Sequence, residues 1–180
     1  IGWVVFSLLS SGSITTNIRL YRKYPVVWPA PRKMSQGDPV KLSGLVLKSR
    51  CPLLKHRFFQ LGFPRGSSVV INIIEEGSCN FQPHLDFGID ESYSINYDGH
   101  EIDIKAPTVY GAMYALTTLR QLVRSDDTGH WIPSTIQVKD QPAFPHRGLM
   151  IDTGRVYLPK YLIKKTIDSM AFVKLNVLHW

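Results

Sequence analysis

The sequence predicts an α+β domain, an antiparallel sheet with helices on one face, followed by the beginning of a separate α/β domain. Two alternating runs that flank Asp98-Gly99 predict a β-hairpin, because both central positions of such a turn need positive φ. Near the end of the chain, apolar runs at 148–152 and 175–180 enclose a helical pattern. A strand–helix–strand unit of this length requires a parallel sheet. Since one such unit cannot close a core, we expect further α/β elements to accompany it.

The predicted first domain covers residues 24–145 and opens with an extended segment, because its prolines fix their own φ and disfavour helix in the residues before them. Pro52 and Gly62 mark the start and the stop of a helix. After the hairpin, an apolar stripe with helical spacing begins at Pro107. In chain order, the expected elements are strand 40–48, helix 52–61, strand 68–74, hairpin strands 92–97 and 100–106, helix 107–124 and strand 131–139.

A proline-flanked linker at 140–145 leads into the second predicted domain, residues 146–180. Its elements are a short buried strand at 148–152, a helix that begins at Pro159, and a second buried strand at 175–180. The change from an antiparallel hairpin to a strand–helix–strand pattern places the domain boundary in the linker.

Residues 1–23 are predicted to be the remnant of a signal peptide and a leader. Ile1 to Leu9 is an apolar run, followed by small residues from Ser10 to Ser13. This run is too short to span a bilayer, which needs about 20 apolar residues. It fits the apolar region of a secretory signal peptide and the small residues of the cleavage region that follows it. A buried N-terminal strand is the alternative.

The net charge of +7 raises the question of a nucleic-acid partner. The 21 Lys and Arg are scattered, and no basic run is interleaved with aromatic residues. We therefore expect a solvated basic surface and no nucleic-acid binding.

Cysteine usage is limited to Cys51 and Cys79. They would be free thiols in the cytosol and bonded in an oxidising compartment, so the residues alone leave both states open. No spacing of Cys and His suggests a metal site, and no motif calls for a cofactor.

Two long motifs resemble the β-N-acetylhexosaminidases of glycoside hydrolase family 20. The stretch FPHRGLMIDTGRVYLP and the later IDSMAFVKLNVLHW are similar to the start of their catalytic barrel, with its R-G-L-x-x-D-T-x-R and N-x-x-H-W-H strands. ESYSINY, the Asp-Gly hairpin and APTVYGAMYALTTLRQLV resemble the non-catalytic domain that precedes that barrel. The resemblance covers residues 24–180, and implies that 146–180 begin a TIM (β/α)8 barrel. It also implies a disulfide between Cys51 and Cys79, as in lysosomal-type members.

The activity implied by this resemblance is the removal of terminal non-reducing β-linked N-acetylglucosamine or N-acetylgalactosamine. Family members retain the anomeric configuration and use the substrate's own acetamido group, an exception to the two-carboxylate scheme. Their Asp-Glu pair lies on a later barrel strand, so we expect no catalytic residue among these 180 and no activity from them alone. The substrates would be glycoproteins, glycolipids or chito-oligosaccharides, and the protein would be a lysosomal or secreted dimer. The alternative is a non-catalytic glycan-binding or interaction protein of the same descent.

Arg147 and Asp152 are the candidate substrate-binding residues. The resemblance matches Arg147 to an arginine that hydrogen-bonds the hydroxyls on carbons 3 and 4 of the terminal sugar, a role that suits a planar guanidinium. An ion pair at the domain junction is the alternative. Asp152 closes a strand at the carboxyl-terminal face, where barrel enzymes keep their sites. The alternative is that Asp152 fixes Arg155 or the following loop by a salt bridge.

The remaining motif residues carry weaker expectations. His179 is expected to be held by packing and backbone hydrogen bonds, and Trp180 is either core or pocket wall. Gly154 and Val156 stand where many members have Ser and His, so the loop after the first barrel strand departs from the family pattern.

Overall fold

The computed structural model describes residues 25–66, 69–75, 79 and 86–180. The predicted signal-peptide remnant, residues 1–23, lies outside this part of the chain. The strands are β1 Lys33–Gln36, β2 Pro39–Leu42, β3 Leu45–Lys48, β4 Val69–Glu75, β5 Tyr93–Tyr97, β6 Glu101–Ala106, β7 Arg124–Asp126, β8 Gly129–Pro133, β9 Ile136–Asp140, β10 Gly148–Met150 and β11 Val177–His179. The helices are α1 Pro52–Gln60, α2 Val109–Leu122 and α3 Lys160–Phe172.

The region predicted as the first domain contains a six-stranded sheet in the order β1-β9-β5-β6-β4-β3. The strands β1, β9, β5 and β6 pair antiparallel, whereas β4 pairs in parallel with both β6 and β3. The sheet is therefore mixed, and the prediction of an antiparallel sheet was wrong at this end. The physical reason is the helix α1 between β3 and β4, since a crossover helix carries the chain back to begin a parallel neighbour.

Two predicted strands are each divided between two sheets. The expected strand 40–48 forms parts of β2 and β3, and the expected strand 131–139 forms β8 and β9. Strands β2, β8 and β7 make a separate three-stranded sheet. Gly44 stands at one break, and a Cβ there would lie 2.4 Å from the backbone of Gly66. The alternation of residues along the sequence does not reveal such a change of sheet, because both halves alternate with the two-residue period of a β-strand.

The core of the first domain lies on one face of the six-stranded sheet. Ile71, Ile95, Ile102 and Ile104 are fully buried there and pack with the inner face of α2, including Leu116. Helix α1 packs beside α2 on the same face. The predicted hairpin is confirmed by the β5–β6 pairing, with Gly99 at φ 102° in the turn. Thr108 caps α2, since its Oγ1 accepts the backbone N–H of Gly111.

A disulfide joins Cys51 to Cys79, which confirms the expected pairing. Cys51 is buried at the N-terminus of α1. The bond therefore ties the start of this helix to the segment that follows β4.

Strands β10 and β11 and helix α3 form the predicted strand–helix–strand unit. The two strands pair in parallel, with Gly148 opposite Val177 and Met150 opposite His179. Only Ile163 and Met170 of α3 are buried, and Tyr161, Ile167 and Phe172 remain exposed. Within the described residues, no helix is long and apolar enough to cross a membrane.

Candidate functional site

Two groups of polar side chains flank β10, one at each end of the strand. The residue before the strand is Arg147, and the loop after it carries Asp152 and Arg155. Because β10 and β11 are parallel, their carboxyl ends meet at the edge that carries the second group. Ligand sites of parallel α/β sheets lie at that edge.

All five guanidinium N–H donors of Arg147 are used within the protein. Nη1 donates to Glu91 Oε2 at 2.7 Å and to the carbonyl oxygen of Phe144 at 2.7 Å. Nη2 donates to Glu91 Oε1 at 3.0 Å and to the Tyr114 hydroxyl at 3.1 Å. Nε donates to the carbonyl oxygen of Lys174 at 2.9 Å. With its donors saturated by protein acceptors, the guanidinium has none left for a sugar.

The pair of Arg147 and Glu91 is buried, with side-chain exposures of 14% and 8%. Burial opposes the charge on the arginine, but the hydrogen bonds from its guanidinium to Glu91 and the charge of that carboxylate raise the pKa of Arg147 above its ordinary value. Burial and the nearby Glu91 carboxylate raise the pKa of Tyr114 to about 12, so its hydroxyl stays protonated and donates to Glu91. Arg147 thus joins the βαβ unit to α2 and to the segment before β5. The sequence-based role of Arg147 in sugar binding does not fit this geometry, whereas the alternative of a junction ion pair does.

A second buried cation, Lys174, lies at the same junction. It follows α3 in the left-handed region at φ 61°, and its Nζ donates to the Tyr93 hydroxyl at 2.7 Å and to Asp140 Oδ2 at 3.1 Å. Burial lowers the pKa of Lys174, and burial also raises the pKa of Tyr93. Burial alone would raise the pKa of Asp140, but hydrogen bonds from Tyr93 and Lys174 hold it below its ordinary value.

At the carboxyl edge, the carboxylate of Asp152 organises the loop that follows β10. Its Oδ1 accepts the backbone N–H groups of Gly154 at 2.9 Å and of Arg155 at 3.2 Å. Its Oδ2 lies 3.1 Å from Nε of Arg155. The expected alternative for Asp152, a salt bridge that fixes Arg155, is therefore present in the structure.

Arg155 differs from Arg147 in its exposure and in its unused donors. Its side chain is 86% exposed, and its two terminal amino groups make no hydrogen bond to any residue that the structure describes. Asp152 holds Nε, so the four N–H donors of the terminal amino groups have no partner among the described residues. Such a fork can bond two adjacent oxygens at once.

A cavity of about 460 Å³ lies beside this loop. Its walls include Asp152, Thr153, His179 and Trp180. Neither arginine is part of the lining, but Arg155 is paired with Asp152 of the wall. Trp180 donates from Nε1 to Thr153 Oγ1 at 3.0 Å and is 66% exposed, which favours a pocket wall over a core position. The backbone of His179 accepts the N–H of Ile151, but its side chain is exposed and not packed as expected.

Sequence reasoning missed Glu91, Tyr114, Asp140 and Lys174 as members of the junction, and it did not single out Arg155 as a ligand. Arg155 could have been identified from its position after β10. A residue that follows a parallel strand lies at the carboxyl edge of the sheet, where ligands bind, whereas a residue before the strand lies at the opposite edge. Glu91 gave no such signal, because it is 56 residues from its partner in sequence. Among the described residues, no group of His, Cys, Asp and Glu could hold a metal ion.

Comparisons with known proteins find similarity in both parts of the chain, before and after the linker. The family model "Glycosyl hydrolase family 20, catalytic domain" matches residues 144–180, and the model "beta-acetyl hexosaminidase like" matches residues 59–122. The beta-hexosaminidase subunit beta of Mus musculus is 41% identical over 88% of this chain and 35% of its own length. A beta-hexosaminidase of Emericella nidulans is 42% identical over 63% of this chain and 19% of its own length.

Solved structures extend the likeness to the fold. The chitobiase of Flavobacterium johnsoniae superposes with a TM-score of 0.65 and 27% identity, covering 86% of this chain and 26% of that one. A glycoside hydrolase family 20 β-N-acetylglucosaminidase superposes equally well over 86% of this chain and 30% of its own. The chain therefore spans about a third or less of the length of these relatives. It belongs to glycoside hydrolase family 20.

Proposed function

We propose that the protein is an exo-β-N-acetylhexosaminidase that removes terminal non-reducing β-linked N-acetylglucosamine or N-acetylgalactosamine. The observation that carries this proposal is the exposed Arg155–Asp152 pair beside a cavity at the carboxyl edge of two parallel strands. The names of the relatives support the same activity, since they are called beta-hexosaminidases and a chitobiase. The alternative of a non-catalytic glycan-binding protein has no observation in its favour.

Arg155, and not Arg147, is the arginine that this proposal assigns to the sugar. Two adjacent ring hydroxyls present two oxygens side by side, and the four free N–H donors of Arg155 match such a pair. The Nε contact with Asp152 at 3.1 Å pre-orients the fork, which reduces the entropy lost when a sugar binds. Asp152 acts in this account as a positioning residue that holds the loop, and Trp180 forms part of the pocket wall.

The reaction that we assign to the protein follows the family resemblance. Residues 146–180 would begin a (β/α)8 barrel, and the acetamido oxygen of the substrate would attack the anomeric carbon with retention of configuration. The Asp that orients that group and the Glu that acts as acid and base belong to a later barrel strand. No catalytic residue is assigned within the 180 residues, and no cofactor is required.

The compartment and partners are also proposals. The Cys51–Cys79 disulfide supports an oxidising compartment, consistent with a lysosomal or secreted protein. The exposed apolar side chains of α3 support the presence of further barrel elements around it, because contiguous apolar surface is normally covered. Glycoproteins, glycolipids and chito-oligosaccharides are the candidate substrates, and a dimer is the expected assembly.

The test is Arg155→Gln in the intact natural protein, assayed with a chromogenic β-N-acetylglucosaminide. Leaving the sugar hydroxyls without their charged donor should lower kcat/KM by roughly 30- to 1,000-fold, or about 2–4 kcal/mol. The melting temperature should not change, because the side chain is exposed.

Arg124→Gln is the matched control. Arg124 also pairs with a nearby aspartate at 3.1 Å, but it lies in the β7–β8 hairpin, away from the cavity. It should leave the kinetics unchanged. Equal kcat/KM in Arg155→Gln and the wild type would remove Arg155 from the site.

A further inference from the structure

The face of the six-stranded sheet opposite α1 and α2 has a row of lysines running across its strands. Lys33 of β1 is directly opposite Lys139 of β9. Lys139 is opposite Ser94 of β5, which in turn is opposite Lys105 of β6. We call Lys33, Lys139 and Lys105 the lysine row. All three side chains are exposed.

This arrangement is electrostatically unfavourable without a counter-charge. Neighbouring strands lie about 4.8 Å apart, so the first two lysines are roughly 5 Å apart at their backbones and the third is roughly 10 Å further on. Like charges directly opposite each other destabilise a sheet. Lysine on an edge strand is a common protection against edge pairing, which accounts for Lys33 on β1 but not for Lys139 and Lys105 on inner strands.

The carboxylates that the structure describes do not pair with the lysine row. None of its ammonium groups has an ion-pair partner in the part of the chain that the structure describes. Glu101 and Asp103 lie further along β6, where both accept hydrogen bonds from the amide of Asn72. The neutral amide leaves both carboxylates charged, so the face has an acidic end at Glu101 and Asp103 and a basic end at the lysine row.

The lysine row borders a depression of about 480 Å³ on this face. Asp140 also lines it, but its Oδ2 is bonded to Tyr93 and Lys174, and its Oδ1 accepts the backbone N–H groups of Arg32 and Gln141. Its negative charge is therefore balanced by Lys174 from the junction side. The net charge that faces the depression is positive.

Arg32 supplies a fourth cation at the rim, and its position is fixed. Its backbone N–H donates to Asp140, and its Nε donates to the carbonyl oxygen of Gln141 at 3.1 Å. The two terminal amino groups make no hydrogen bond to any described residue. A guanidinium held in this way is prepared to bind a sulfate or phosphate oxygen pair.

We propose that this depression is a binding site for sulfate or phosphate ester groups of an anionic carbohydrate. The cations would bind the ester groups, and the hydroxyls of Ser92 and Ser94 and the amide of Gln141, which also line the depression, would bind sugar hydroxyls. A single-stranded nucleic acid fits less well, since the aromatic residue in the lining, Tyr93, is buried and offers no face for stacking. The site does not depend on the hexosaminidase activity.

The experiment compares two triple variants of the intact protein for binding to fluorescent dextran sulfate oligosaccharides. Lys33→Gln, Lys105→Gln and Lys139→Gln together should weaken binding by roughly 10-fold or more, because three charge-assisted contacts are lost. The matched control replaces Lys48, Lys55 and Lys165, which are also exposed but lie outside the depression. It should weaken binding by roughly threefold or less, through the change in net charge alone.

Equal losses in the two triple variants would overturn the proposal, because binding would then depend on net charge. Binding of uncharged dextran with the same affinity would also overturn it. A single-stranded oligonucleotide or an anionic phospholipid vesicle that binds through the lysine row more tightly than dextran sulfate would contradict the assignment to a carbohydrate. Arg32→Gln alone should give a smaller loss in the same direction, and no loss would remove Arg32 from the site.

Discussion

The two ends of strand β10 each carry an arginine, and the two side chains are in opposite states. Arg147 before the strand is 14% exposed, and all its guanidinium donors are bonded to protein. Arg155 after the strand is 86% exposed, and only its Nε is held, by Asp152. An arginine therefore joins the βαβ unit to the rest of the structure at one end of the strand, and an arginine at the other end has donors available for a ligand.

This difference shows that the number of protein acceptors around an arginine, rather than its place in the motif, decides whether its donors are available for a ligand. At the junction, a buried carboxylate, a hydroxyl and two carbonyl oxygens converge on Arg147 from four separate segments. At the carboxyl edge, the loop provides one carboxylate, and the backbone N–H groups of that loop occupy its other oxygen. An exposed arginine with spare donors next to a cavity can bind a polar ligand, and a saturated arginine cannot.

The largest expected effect is on stability, at the junction. Arg147→Met leaves Glu91 buried without its charged partner and should lower the free energy of unfolding by about 3–5 kcal/mol, measured by urea denaturation. The double variant Arg147→Met with Glu91→Leu removes both charges and should recover at least half of that loss. KM should stay within roughly twofold of the wild-type value in the variants that fold. A large rise in KM with unchanged stability would contradict the structural role of Arg147 and would assign this residue to sugar binding.

A smaller effect concerns the response of the junction to acid. The pKa of Asp140 in the folded state lies below its unfolded value of about 3.9, so its contribution to stability is present above pH ~4 and is lost as the pH falls through the folded pKa. Asp140→Asn should therefore lower the free energy of unfolding at pH 6. The decrease in this free energy from pH 6 to pH 3, measured by urea denaturation, should be smaller than in the wild type. Asp127→Asn, exposed in the β7–β8 turn, should follow the wild type. If the free energy of unfolding fell equally steeply with acid in Asp140→Asn and in the wild type, Asp140 would not be the source of the pH dependence.

The smallest effect is expected at the carboxyl edge, at Gly154. A Cβ at this position would lie 3.2 Å from Asp152 Oδ1, so Gly154→Ser requires the carboxylate to move by a few tenths of an ångström. This shift would pass to Arg155 through Oδ2 and should change kcat/KM by roughly fivefold or less. Gly154→Ala carries the same Cβ without the hydroxyl and separates the steric effect from a new hydrogen bond. A loss of activity as large as that in Arg155→Gln would mean that the loop, and not the guanidinium, is the sensitive element.

Much of the secondary structure could be predicted because its signals are local. Asp98-Gly99 between alternating runs identified the hairpin, and Pro52 and Pro107 marked the starts of α1 and α2 to within two residues. The division of the strand at 40–48 could not be predicted, because the close approach of Gly44 to Gly66 depends on a contact distant in sequence. The buried Lys174 was missed for a similar reason, since its partners Tyr93 and Asp140 lie on strands of the six-stranded sheet.

The sequence alone determined the order of the helices and strands, the parallel strand–helix–strand unit, the family and the presence of two arginines in one motif. It could do so because propensity, turn chemistry and motif spacing act over a few residues. Only the tertiary structure decided which arginine is saturated and which is free, how the sheet mixes its strand directions, and where lysines from three strands meet. These features depend on residues such as Glu91 and Arg147, which are 56 positions apart and are brought into hydrogen-bond contact only by folding.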